Sequence, residues 1–153
     1  MAQLEYASGI GYLMYLIQCT RPNITFAVSK LSRFSSNSSV EHWKAIGRVF
    51  GYLMKTKDLG LHYSIFLTIL EEYIGASWIS SVGDNKSTTG WVFTLAGGII
   101  SWKSKKQTCI THSTVESEFV ALTSARQEAE WLRDPLIEIS LASKNVSKLS
   151  IYC

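Results

Sequence analysis

Trp91-Val92-Phe93-Thr94-Leu95-Ala96-Gly97-Gly98-Ile99-Ile100-Ser101-Trp102 is the stretch that decides the fold class. Two runs rich in β-branched and aromatic residues flank Ala96-Gly97-Gly98, where glycines supply the positive φ of a tight turn, so the stretch reads as a β-hairpin. Upstream, Tyr73 to Ile79 reads as another strand, Ile65 to Leu70 is apolar except for Thr68, and Leu61 and Tyr63 alternate. Downstream, Ser113-Thr114-Val115-Glu116 has the capping-box spacing that opens a helix. Val115, Phe119 and Leu122 are expected to form its apolar face, and Pro135 to kink or restart it. Leu149 to Tyr152 reads as a last strand. The second part of the chain is thus three antiparallel strands, a helix and a fourth strand.

The first 58 residues have a different period. Tyr6, Ile10, Leu13, Met14 and Ile17 recur at helical spacing, although Gly9 and Gly11 weaken that helix. Thr20 is expected to cap a second helix with Pro22 in its first turn, where a missing N–H is harmless. Ile24, Ala27, Val28 and Leu31 form its stripe. Ser39 is expected to cap a third helix carrying Trp43, Ile46, Phe50 and Leu53. Short amphipathic helices do not hold alone, so these faces must dock on something.

Composition bounds the rest. The 153 residues fit about one domain, and 46% hydrophobic with 18% charged residues is a globular balance, which excludes a disordered chain. Apolar stretches such as Tyr12 to Ile17 fall far short of the roughly 20 residues of a bilayer span. No basic-then-apolar segment opens the chain, so the expectation is an intracellular protein, in cytoplasm or nucleus, with no membrane partner. Cys19, Cys109 and Cys153, like His42, His62 and His112, are too scattered for a disulfide framework or a metal-ligand spacing. The net charge of +3 is uneven, and Lys86 to Lys106 holds four lysines and no acid. Lys86, Lys103, Lys105 and Lys106, with Trp91 and Trp102 near them, suit a phosphate backbone. A solvated strand face with tryptophans in the core explains the same residues.

Beyond this local reading, the order and wording of the chain resemble the carboxy-terminal part of copia-type LTR retrotransposon polyproteins. The resemblance rests on Tyr6 to Leu16, Cys19-Thr20-Arg21-Pro22-Asn23-Ile24, Leu31-Ser32-Arg33-Phe34, His42-Trp43 and Tyr52-Leu53. It continues through Lys86-Ser87-Thr88-Thr89-Gly90, Ile100 to Gln107 and Ser113 to Phe119. It implies that residues 1–58 are a thumb or connection-like segment after a reverse transcriptase. Residues 59–153 would then be an α/β RNase H-like domain, cut at its fourth strand.

Hydrolysis by such domains uses two Mg²⁺ ions held by convergent carboxylates. The family's first strand reads Tyr-x-Asp-x-Asp-Trp, and the matching stretch here is Tyr73-Ile74-Gly75-Ala76-Ser77-Trp78. Gly75 and Ser77 therefore occupy the aspartate positions. Glu71 lies roughly 13 Å from Gly75 along an extended strand and cannot replace it without a register slip. Glu118, followed by Phe119-Val120-Ala121-Leu122, matches the family's catalytic glutamate, whereas the capping box accounts for Glu116. The third carboxylate would follow Cys153, where the sequence stops. One ligand in three implies a catalytically inactive remnant with no cofactor of its own, Mg²⁺ belonging to the parent family. Residual binding of RNA–DNA hybrid or another nucleic acid through the four lysines is the partner expectation. An active ribonuclease and a protein-interaction domain are the competing readings, and no residue names a protein partner.

Overall fold

The computed structural model describes residues 2–63, 69–81, 83–138 and 149–152. The chain divides into two compact units, Met1–Leu61 and His62–Cys153.

The first unit is helical: α1 (Ala2–Cys19), a 3₁₀ turn at Pro22–Ile24, α2 (Thr25–Leu31), a second 3₁₀ turn at Ser32–Phe34, and α3 (Val40–Lys55). The amphipathic faces dock on one another. Tyr6 and Ile10 of α1 meet Leu31 and Ile46, and Leu13 packs with Ile24 and Val28 in a second cluster. Trp43, Phe50 and Leu53 close these clusters from α3. The buried Tyr6 hydroxyl donates to the Leu31 carbonyl at 2.9 Å, so the one polar atom of that ring is satisfied. Met14 departs from the expected stripe and is exposed. Helix α1 runs through both of its glycines. Ser39 caps α3 as expected, in a reciprocal box: its Oγ accepts from the His42 N–H, and its own N–H donates to His42 Nδ1 at 3.0 Å. Thr20 caps nothing, because Arg21 precedes the Pro22 turn and no side chain caps it.

The second unit is a four-stranded mixed sheet with one helix. It comprises β1 (Leu70–Ser81), β2 (Lys86–Leu95), β3 (Gly98–Lys106), α4 (Thr114–Glu138) and β4 (Leu149–Tyr152), with strand order β3-β2-β1-β4. The first three strands pair antiparallel and β4 runs parallel to β1. The hairpin turn is tighter than the sequence suggested. Ala96 (φ 53°) and Gly97 (φ 76°) carry the positive φ values, while Gly98 already belongs to β3. Gly98 is required for a different reason. A Cβ there would fall 2.2 Å from the Tyr63 ring and 2.9 Å from the His62 carbonyl. Leu61 to Tyr63 form no strand, though the Tyr63 hydroxyl donates to the Ile99 carbonyl at 2.9 Å. Of the apolar run from Ile65, the portion 65–68 lies outside the described residues, and Leu70 opens β1.

Two expectations about α4 are corrected. Helix α4 does not restart at Pro135 but runs on to Glu138. Its buried stripe is Ser117, Ala121, Ala125 and Ala129, whereas Val115 and Phe119 are exposed. The reason lies in the sheet. Trp91 and Phe93 fill the space between sheet and helix, so the helix face that meets them must be small. Leu70 and Ile74 complete that core, with Leu122 packed at its margin.

Candidate functional site

Side chains on a strand alternate between faces, so the β1 register decides what each candidate residue can reach. Leu70, Glu72 and Ile74 are buried, and Leu70 and Ile74 pack with α4. Glu71, Tyr73, Gly75 and Ser77 lie on the opposite face, where Gly75 pairs with Gly90 and Ser77 with Thr88. Both Gly75 and Ser77 are exposed, and nothing lies within 4 Å of a Cβ built on Gly75. Tyr73 and Tyr152 stack on this face with ring centroids 5.0 Å apart. Desolvation raises the Tyr73 phenol above its ordinary pKa, and the Glu71 carboxylate adds to the rise. Glu71 itself is held by Thr94, whose Oγ1 donates to it at 3.1 Å.

Glu118 is half-buried on α4, adjacent to the buried Ser117. Since α4 packs against the Leu70–Ile74 face, the register sets Glu118 and the Gly75 and Ser77 positions on elements of opposite sheet faces. Among the described residues, no group of three or more His, Cys, Asp or Glu side chains could hold a metal ion. Glycine offers no donor and serine only a neutral hydroxyl, so these positions do not fit the Mg²⁺ pair that the resemblance implies. Glu116 has the capping role expected of it in a modified form. Its N–H donates to Ser113 Oγ at 3.1 Å, while its carboxylate accepts from the His112 N–H at 2.6 Å.

The four lysines are not one strip. Thr89 pairs with Lys105 and Trp91 with Lys103, so both lysines lie on the α4 side of the edge strand β3, where they are exposed. Lys103 Nζ sits 5.6 Å from the centroid of Trp91, which is core. Lys106, opposite Thr88, lies on the other face and pairs with Asp84. Lys86 Nζ donates to the Thr108 carbonyl at 2.6 Å. Trp102 is half-buried beside Val92.

Two features were not read from the sequence. The first is a buried polar network joining the stretches that carry the resemblance. Gln107 Nε2 donates to Thr89 Oγ1 and to the Ser117 carbonyl, each at 2.9 Å, and Ser87 Oγ meets Thr111 Oγ1 at 2.9 Å. These residues anchor the start of α4 to β2, which gives the motif positions a structural role. The second is Glu72, only 1% exposed, with both carboxylate oxygens buried and unpartnered. Desolvation raises its pKa above the ordinary carboxylate range. Its signal was available in the shared parity with Leu70 and Ile74.

No protein-family model and no solved structure matches the chain. Curated relatives do. The chain is 40% identical over 153 residues to the retrovirus-related Pol polyprotein from transposon TNT 1-94 of Nicotiana tabacum, covering all of this chain and 11% of that protein. It is 34% identical over 150 residues to the corresponding polyprotein from transposon RE2 of Arabidopsis thaliana, covering 97% of this chain and 10% of that one. A third relative is secreted RxLR effector protein 161 of Plasmopara viticola, 42% identical over 133 residues, or 86% of this chain and 94% of that protein. The chain therefore spans about a tenth of the length of these polyproteins. Among the described residues, no helix is long and apolar enough to cross a membrane. With homology running over nearly its whole length, the chain belongs to the family of retrovirus-related Pol polyproteins of plant transposons, in agreement with the copia-type motifs it carries.

Proposed function

We propose that this transposon-derived chain is a non-catalytic segment whose RNase H-like sheet retains weak affinity for RNA–DNA hybrids. The observation that carries the reading is the first-strand donor set: Gly75 and Ser77 stand where the first-strand acids would be, and neither side chain carries a carboxylate to act with Glu118. Neither a glycine nor a neutral hydroxyl can balance a divalent cation, so a two-metal site lacks its first-strand ligand. On this reading residues 1–58 are the connection-like segment and 59–153 the RNase H-like domain. Lys103 and Lys105, exposed on the edge strand, supply the sequence-independent attraction to phosphate, with Lys86 and Lys106 contributing less because each is engaged locally.

The test is a salt series of hybrid binding by the full chain with Mg²⁺ present, products resolved on a gel. Binding that weakens steeply with salt and leaves the hybrid intact is expected. Hybrid cleavage that survives purification and is lost in Glu118→Gln would overturn the proposal in favour of a Mg²⁺-dependent ribonuclease H. A second reading is favoured by the Plasmopara relative, which this chain matches over 94% of its length. There the same sheet and helices would serve as a separate, secreted effector-like protein. Absence of hybrid binding by a folded chain favours that reading.

A further inference from the structure

We infer that the cavity between α4 and the β1–β4 side of the sheet binds a small organic cation with an apolar body, an alkylammonium or alkylguanidinium. The cavity measures about 380 Å³, which suits a small molecule. Leu70 of β1, Ile151 of β4, and Leu122 and Ala129 of α4 give it apolar walls. Glu72 is the buried acid in that lining, 1% exposed and without a hydrogen-bond partner at either oxygen.

The buried Glu72 sets the sign of the ligand, while the exposed charges on the α4 wall offset one another. Arg126 pairs with Glu130 at 3.1 Å, and Arg133 with Asp134 at 3.6 Å, all four side chains being largely solvent-exposed. The wall's cations are therefore engaged, whereas its buried acid is not. An anion entering the cavity would have to approach the buried Glu72 carboxylate. An ammonium or guanidinium would supply the donors that Glu72 lacks, in surroundings where a charge-assisted hydrogen bond is strong. The terminal torsion of a glutamate is broad and roughly two-fold, so its oxygens can turn toward a ligand in the cavity at little cost. The apolar walls would bury the ligand's hydrocarbon part. This inference concerns a different face of β1 from Gly75 and stands apart from the proposed hybrid binding.

The probe is n-butylammonium, titrated near neutral pH into the full chain and followed by thermal shift and amide chemical shifts, with n-pentanol and butyrate as neutral and anionic counterparts. Saturable binding of the amine is expected, with perturbations at Leu122, Ala129 and Ile151. The Glu72→Gln variant keeps the side-chain size, and its own melt establishes that it folds. Its affinity should fall roughly tenfold to a hundredfold, the loss of one charge-assisted bond. Equal affinity in Glu72→Gln, n-pentanol binding as tightly as the amine, preference for butyrate, or no saturable binding would each overturn the inference.

Discussion

Replacing Glu72 by leucine should make the protein more stable, against the usual outcome of a core substitution. The wild-type carboxyl sits between Leu70 and Ile74 on β1 and opposite Phe93 on β2, with no partner for either oxygen. The other charged residues lining its cavity are Arg126, Glu130 and Arg133 of α4, and the β2 neighbour contributes none. A buried polar group without a partner costs about 1–3 kcal/mol, and leucine of similar volume recovers that term while adding apolar contact. The gain expected at neutral pH is therefore about 2–3 kcal/mol, a substantial part of a stability margin of about 5–15 kcal/mol. The pH dependence separates this cause from general repacking. Glu72 has a folded-state pKa above its unfolded value. Below the unfolded value both states hold the proton, and the charge term vanishes. As pH rises, the unfolded chain ionises first, binds fewer protons than the native state, and wild-type stability falls until the native carboxyl also ionises. The advantage of both Glu72→Leu and the uncharged isostere Glu72→Gln should thus grow from acidic to neutral pH. Urea titrations of the three proteins at the two pH values, at constant m, measure it, other titrating groups cancelling in the differences. A Glu72→Leu variant no more stable than wild type at neutral pH would mean that the carboxylate has a partner, and the reasoning would fail.

Three further substitutions follow from the geometry. Gly75→Asp fills open space on an exposed strand position, so it should change stability by less than about 1 kcal/mol and, with Glu118 on the element of the other face, should not create Mg²⁺-dependent hybrid cleavage. Calorimetric titration with Mg²⁺ and the gel assay check both statements. Ala96→Asn should stabilise the hairpin by about 0.5–1 kcal/mol, because asparagine tolerates the left-handed conformation that alanine holds at φ 53°. Gly98→Ala should destabilise the second unit by about 1–3 kcal/mol, since the added methyl must displace Tyr63 and meets the His62 carbonyl. Thermal and urea unfolding report both hairpin variants.

What was legible in the sequence was what depends on nearest neighbours. The hairpin around Ala96-Gly97-Gly98 and the Ser39 and Ser113 caps are set by residues within four positions of one another, and each is found where its local chemistry put it. The helix α4 face was misread because its packing is decided elsewhere. Val115 and Phe119 have the right spacing, but Trp91 and Phe93 leave room only for Ala121, Ala125 and Ala129. The lysines are close in sequence, but alternation on β3 sends Lys105 and Lys106 to opposite faces. Glu72 lies beside the motif rather than in it, and its burial follows from the parity it shares with Leu70 and Ile74.

Strand parity also bears on whether a carboxylate of β1 could stand in for the first-strand acids that the resemblance implies at the Gly75 and Ser77 positions. A one-residue slip of β1 would bring Glu72 to the outer face, but it would carry Leu70 and Ile74 there too and turn Gly75 inward. Exposing those two side chains, now 2% and 8% exposed, would forfeit about 1.5–3 kcal/mol each, a large part of a stability margin of about 5–15 kcal/mol. Relief of the Glu72 carboxyl returns only about 1–3 kcal/mol, so the observed register wins even with an unpartnered acid inside it. The remaining outer-face acid, Glu71, is four positions from Gly75 and already bonded to Thr94. The packing that fixes the register of β1 thus also keeps Glu72 inward and Glu71 four positions from Gly75, away from the place where the resemblance implies a metal ligand.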